Sequence, residues 1–303
     1  MDAKAIESYR KAGELAARAR EHGATLVKEG VKLVDVANAV EKWIVAEGEK
    51  FGAKPAFPCC ISVDADAAHD TPGVLDERVF AKGSVVKLDV GVQVDGWIGD
   101  RAITVEVGTN QFDPMQRAVR EALAAGVAQV KPNVPIRRIS EAVETALRSH
   151  GYQPIANLTG HSVDQYHQHA GLTIPNVAAM ARGHVEPGTA IAIEPFGTDG
   201  QGKIKNGRGG HIWHFMGPKP QRDPAARAAL EYIQKNHDKL PFAERWIAEA
   251  VAENRVNYAM KLLERTGAVK EYPVLREVTD GQVAQHEHTV LVLDGEVIVT
   301  TKI

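Results

Sequence analysis

Apolar residues recur at helical spacing from residue 3 to residue 29 and stop at Gly30. The same period returns over residues 34 to 51, through Val36, Ala39, Val40, Trp43 and Ile44, and stops at Gly52. A third helix is expected to open with Asp113 as N-cap and Pro114 at its first position, and to run to about Val130. A fourth covers residues 135 to 149 and ends before Gly151. Between the second and third helices the spacing changes to that of strands. The stretch VVKLDVGVQVDGWIGDRAITVEV, 85 to 107, predicts a hairpin folded at Asp95-Gly96. A second turn, Asp294-Gly295, divides VLVL from EVIVT. Helices, hairpin, helices and hairpin describe an α+β chain with two related halves. The identity between the halves is too slight for a sequence repeat.

Residues 222 to 269 differ in texture. Three helical segments are expected there with no strand between them, the first capped by Asp223 with Pro224 after it and the last ending near Gly267. This stretch reads as a helical insertion within one catalytic domain spanning 1 to 303. The run GQGKIKNGRGG just before it lacks Walker-type spacing, so a flexible rim loop is expected rather than a phosphate cradle.

Composition narrows the function. The 303 residues are 44% hydrophobic and 25% charged, with a net charge of -3. That is an ordinary globular balance, with no general electrostatic footprint for nucleic acid or an anionic membrane. The two cysteines, Cys59 and Cys60, are adjacent and offer neither a disulfide framework nor a CxxC metal knuckle. They are expected to be reduced, half-buried thiols. The N-terminus lacks the apolar core of a signal peptide, and no apolar run approaches 18 residues. A cytoplasmic protein is expected.

The candidate chemistry begins on the first hairpin. With its turn at Asp95-Gly96, residues whose numbers sum to 191 face one another, so Gly91 pairs with Asp100. Asp89 then lies diagonal to Asp100 on the same face. Taken alone, the pair fits a polar solvent-facing surface as well as a site. His161 follows Gly160 in NLTGHSVDQYHQHAG, with His169 eight residues later; Glu194 ends TAIAIEPFG, where Ala190 and Ala192 leave room; Glu287 sits in VAQHEHTVLVL. Each has an ordinary structural reading. Together they make one imidazole and four carboxylates, an oxygen-rich set that suits a pair of divalent ions better than one structural zinc. Without cations, each close carboxylate pair would repel by ~3 kcal/mol at about 5 Å and an effective dielectric near 20.

These residues resemble those of type II methionine aminopeptidases, in the compact archaeal-like form without a long N-terminal extension. The resemblance runs from RKAGELAARAR to EHTVLV, essentially the whole chain. It implies the pita-bread fold, with two pseudo-symmetric halves around two divalent metal ions (Co, Mn, Fe or Zn). It implies that Asp89 chelates one ion, that His161 and Glu194 hold the other, and that Asp100 and Glu287 bridge them. Catalysis would fall to Glu194 as proton shuttle and to His69, in AAHDTP, and His169, in YHQHAG. The methionine pocket would contain Phe57, Phe196 and Tyr272, walled by the insertion with its LPFAERW segment. The substrate would be the N-termini of nascent polypeptides near the ribosome, with a small second residue preferred. A monomer is expected, with no direct nucleic-acid or membrane contact. Three positions depart from the family pattern and bear on pocket shape and polarity: Cys60, Asp70 and Gln168. Two other readings keep the fold. One is a prolidase or aminopeptidase P, whose members usually carry an extra N-terminal domain; the other is a non-catalytic pita-bread binding protein, which typically loses metal ligands.

Overall fold

The computed structural model describes residues 1–303. Helix α1, Ala3–Leu26, starts where the Asp2 side chain accepts a hydrogen bond from the Ala5 amide at 2.8 Å. Helix α2 spans Leu33–Gly48. Both pack on the first hairpin, whose strands are Val85–Val94 and Trp97–Glu106. The register pairs Gly91 with Asp100 and Asp89 with Ala102, as the turn predicts. The other edge of Val85–Val94 pairs with Lys54–Pro55 and Cys60–Val63. α1 approaches this sheet backbone to backbone: a Cβ on Gly99 would lie 2.5 Å from the Gly13 amide nitrogen. Leu15, Ala16, Ala19, Val36, Val40 and Ile44 of the helices meet Leu88, Val90 and Val92 in this core.

The second half repeats the plan. Helices α3, Asp113–Ala128, and α4, Ile136–Ser149, cover a five-stranded sheet. Its strand order is Glu296–Val299, His288–Leu293, Thr189–Ile193, Thr159–Val163 and Thr173–Pro175. The second expected hairpin is present, with Leu293 opposite Glu296. Asp113 is not the cap of α3, however. It is the first helical residue, and Phe112 stands at the N-cap without a side-chain bond. The carboxylate of Glu106 accepts from the amides of Gln111 and Phe112 at 2.6 and 2.7 Å and so fixes the chain that leads into the helix.

Two further expectations need correction. The glycine- and lysine-rich run is not a rim loop: Ile204–Phe215 is a strand, paired along Val269–Glu277 with two register shifts. Its first half is exposed from Lys205 to Gly209, so there the sheet partner rather than alternating hydrophobicity makes it a strand. Residues 222 to 269 do not hold three α-helices without a strand. α5 (Pro224–Asn236) and α6 (Glu253–Arg265) flank a 3₁₀ turn, Glu244–Glu249, and a two-residue strand, Phe242–Ala243, that pairs with Ile212 and Trp213. Trp213, Phe242, Ile247, Val256, Met260 and Leu263 form the core of this region. Asp223 caps α5 as expected, accepting from the amides of Ala225 and Ala226. Cys59 and Cys60 are free and fully buried rather than half-buried. No helix is long and apolar enough to cross a membrane.

Candidate metal centre and substrate cleft

The two hairpins meet over a cavity of about 200 Å³, room for one side chain and a few waters. All five expected ligand residues line it: Asp89, Asp100, His161, Glu194 and Glu287. The first hairpin supplies Asp89 and Asp100 from one face of its ladder. Thr159–Val163 supplies His161, paired opposite Ala192, and Glu194 follows directly on the strand Thr189–Ile193. The amide of Glu287 donates to the carbonyl of Ala102, which ties this ligand to the first hairpin.

The ligand atoms of Asp100, His161 and Glu287 lie within 4.8 Å of one another. His161 Nε2 is 3.8 Å from Asp100 Oδ2 and 3.6 Å from Glu194 Oε1. His161 Nδ1 lies 3.3 Å from the carbonyl of Ser162, a position that suits the Nδ1–H tautomer. Burial, then the neighbouring His169, lowers the imidazole to about 3, so the ring is neutral. Its Nε2 lone pair therefore faces carboxylate oxygens.

The carboxylates are equally short of partners. Asp89 Oδ1, Asp100 Oδ1 and both oxygens of Glu287 are buried and accept no hydrogen bond. Burial first, and then mutual repulsion, pushes Asp100 and Glu287 well above the usual carboxylate range. Asp89 is raised mainly by burial, and Glu194 by burial and the charge of Asp89. One polar side chain does serve the group: Gln285 Nε2 donates to Glu194 Oε2 at 3.1 Å. Four buried or half-buried carboxylates and a neutral imidazole lone pair, converging with orphaned oxygens, fit divalent cations and little else.

The expected catalytic histidines flank this group. The His169 ring stands 4.4 Å from that of His161, and His69 packs edge-on against Tyr272 at 5.7 Å. His69 has φ +61°, a left-handed backbone unusual for histidine. Burial, and then His169, lowers its pKa to about 4, with the Pro273 carbonyl acting in the other direction. The apolar wall contains Phe57, Phe196 and Tyr272, as expected, together with Ile212 and Leu275. Gly91 makes room for Phe57; a Cβ there would lie 2.1 Å from the ring. Pro241, from the stretch between α5 and the 3₁₀ turn, also lines the cavity.

Cys60 and Gln168 border the cavity, as their departure from the family pattern suggests. Asp70 does not. Its carboxylate is fully buried away from the cleft, where Arg78 donates to both oxygens at 2.7 and 3.1 Å and Arg208 to Oδ2 at 2.6 Å. Sequence reasoning missed Ile212, Leu275 and Gln285. The last was within reach, since it precedes Glu287 by two residues.

Comparison with known proteins agrees with this geometry. Metallopeptidase family M24 matches residues 7–294. A methionine aminopeptidase of Thermococcus kodakarensis is 42% identical over 296 residues, covering 97% of this chain and 99% of its own. One from Archaeoglobus fulgidus is 41% identical over 302 residues, covering both chains fully. The crystal structure of a methionine aminopeptidase from Thermotoga maritima superposes with a TM-score of 0.71 at 22% identity, covering 100% of this chain and 98% of that one. The fold is thus the expected pita-bread arrangement, and the chain belongs to metallopeptidase family M24.

Proposed function

We propose that this protein is a dinuclear methionine aminopeptidase that removes the initiator methionine from nascent polypeptides. The observation that carries the reading is the convergence of five candidate ligand side chains, three of them buried and two half-buried, with four oxygens orphaned, on the floor of an apolar-walled cleft. Near-full-length relatives at about 40% identity bear the same name, which favours it over a prolidase or a non-catalytic relative. Residues 222 to 269 are, on this reading, an insertion within one catalytic unit, contributing Pro241 to the pocket wall.

Asp89 would hold one ion, His161 and Glu194 the other, with Asp100 and Glu287 bridging. A divalent pair in that position supplies Lewis acidity, lowering the pKa of a water and polarising a carbonyl. The remaining work belongs to the chain. Phe57, Phe196, Tyr272, Ile212 and Leu275 bind an unbranched apolar side chain and exclude water. Glu194 takes the proton of the attacking water and passes it to the leaving amine. His69 is neutral at physiological pH and acts as a hydrogen-bonding group rather than a charge. With His169 it contacts the scissile amide and the developing oxyanion. A bulky second residue would crowd this histidine side of the cleft, so a small one is preferred.

A panel of Met-Ala-X, Met-Leu-X and Ala-Pro-X peptides, assayed with Mn, Fe, Co and Zn in turn, tests the assignment. Met-Ala-X should be cleaved fastest; faster cleavage of Ala-Pro-X would overturn it. Metal titration should saturate at two ions per chain.

A further inference from the structure

Behind the apolar wall of the cleft, three ligand-type side chains meet. Ile212 pairs with Tyr272 on one side and with Ala243 on the other. Ile212 and Tyr272 line the cleft. The residue next to each member of this rung belongs to the group behind it: His211, Glu271 and Glu244. Neighbouring side chains along a strand point to opposite faces, so the group lies on the reverse of the wall. His211 sits within a register shift of its strand, between Gly209 and Ile212, with φ +57°. Such an irregularity re-aims a side chain.

One ligand atom from each of His211, Glu244 and Glu271 lies within 4.8 Å of the other two. His211 Nδ1 is 3.2 Å from Glu244 Oε2. Two donors on one tetrahedral zinc, at bonds of about 2.0–2.1 Å, stand roughly 3.3 Å apart, so this pair already has the spacing of two ligands. Glu271 is held on the same spot, its Oε1 accepting from the His211 amide at 3.2 Å and its Oε2 from Lys261 at 2.8 Å.

Glu244 points to a ligand most directly. It is 2% exposed, and its carboxylate is paired with the His211 ring alone, itself a member of the group. The adjacent Arg245 turns away to Glu41. A carboxylate taken out of water and served by one imidazole is short of compensation. The His211 side chain is 31% exposed, which leaves the group open to solvent on the histidine side.

We infer that His211, Glu244 and Glu271 form a separate mononuclear metal site for a divalent ion of the zinc class, with water as the fourth ligand. The ion takes the lone pair of His211 Nδ1, and the proton of that nitrogen leaves to solvent. It fastens the strands Ile204–Phe215 and Val269–Glu277 to the 3₁₀ turn Glu244–Glu249, behind the cleft wall. Lys261 competes for Glu271, so this site fills after the cleft, in a step of its own. It does not depend on the peptidase reading.

Zinc is the probe. Zinc bound by the full chain is counted by equilibrium dialysis and elemental analysis, and crystals soaked in zinc are measured at its absorption edge. An anomalous peak is expected within about 2.5 Å of His211 Nδ1 and of a Glu244 oxygen. His211→Gln and Glu244→Gln should each bind one zinc fewer per chain than the parent, with the zinc peaks in the cleft unchanged. A cooperative unfolding transition qualifies each variant. Should Glu244→Gln fail to fold, His211→Gln decides, because its side chain is partly exposed. An equal zinc count in the parent and a folded variant, or zinc peaks confined to the cleft and to other surface residues, would overturn the inference.

Discussion

Glu41 and Glu287 are both buried glutamates, 8% and 1% exposed, and they differ in everything else. Glu41 stands where α2 meets the 3₁₀ turn. Its Oε1 accepts from the Cys59 amide at 2.9 Å and from Arg245, and its Oε2 from Trp246 Nε1 at 2.7 Å. Arg245 then reaches Thr71 Oγ1 at 2.9 Å and the Pro72 carbonyl at 3.2 Å, two and three residues past His69. Glu287, on the cleft floor, has neither oxygen served. A carboxylate that the protein has already satisfied is architecture. One that the protein has buried and left bare is a candidate ligand for a cation. The contrast separates function from packing where burial alone does not, and Asp70, gripped by Arg78 and Arg208, falls on the side of architecture.

The difference can be broken from either end. Glu41→Ala leaves Arg245 buried and unpaired, and should lower the unfolding free energy by about 3–5 kcal/mol in denaturant titrations. Glu287→Ala should lose at least ~10²-fold in rate and release metal, read by elemental analysis after dialysis. Glu287→Gln, which keeps the shape, should leave the stability of the chelated protein within about 0.5 kcal/mol of the parent. An equal loss of stability in the Glu41 and Glu287 variants would erase the distinction.

Smaller effects sharpen it. His69→Ala should lower kcat on the order of tenfold, the worth of about one hydrogen bond, with metal content unchanged. Metal loss in that variant would move His69 among the ligands. The smallest effect concerns Asp76. Burial works to raise its pKa, but hydrogen bonds and charge from Arg78 outweigh this and hold it below the ordinary carboxylate value. Its contribution is therefore present above pH ~4 and lost as pH falls through the folded value. Asp76→Asn should flatten the acid limb of the stability profile by no more than about 0.5 kcal/mol.

How much of this was legible in the sequence follows from the range of each interaction. The first hairpin and its register are local: a two-residue Asp-Gly turn between alternating runs fixes which side chains share a face, and Asp89 and Asp100 follow. The long helices carry their own period. Ile204–Phe215 does not, because its glycines and lysines alternate with nothing; its partner strand, more than fifty residues on, makes it a strand. Asp113 stands one position past the expected cap, where Glu106, on the preceding strand, holds the amides of the two residues before it. Arg245 and Glu41 lie 204 residues apart, and Arg208 and Asp70 lie 138 apart. No spacing rule reaches that far, so Asp70 read as a pocket residue when it belongs to an ion-pair chain. The five candidate ligands could be gathered by residue chemistry, but the part each would take was implied only by resemblance to a family.

The two-residue connection at Asp95-Gly96 decides more than a fold of the chain. One extra residue there would slip the ladder by one position and exchange its faces. Arg101 would then look into the cleft and Asp100 would lie under α1, removing one carboxylate from the candidate metal centre and setting a positive charge beside the other three. The same bend seats the segment bearing Gln168 and His169, since the Tyr166 amide donates to the Gly96 carbonyl at 2.8 Å. Turn length therefore sets charge placement and alignment together, and a single-residue insertion here would leave the candidate centre with three carboxylates facing a guanidinium.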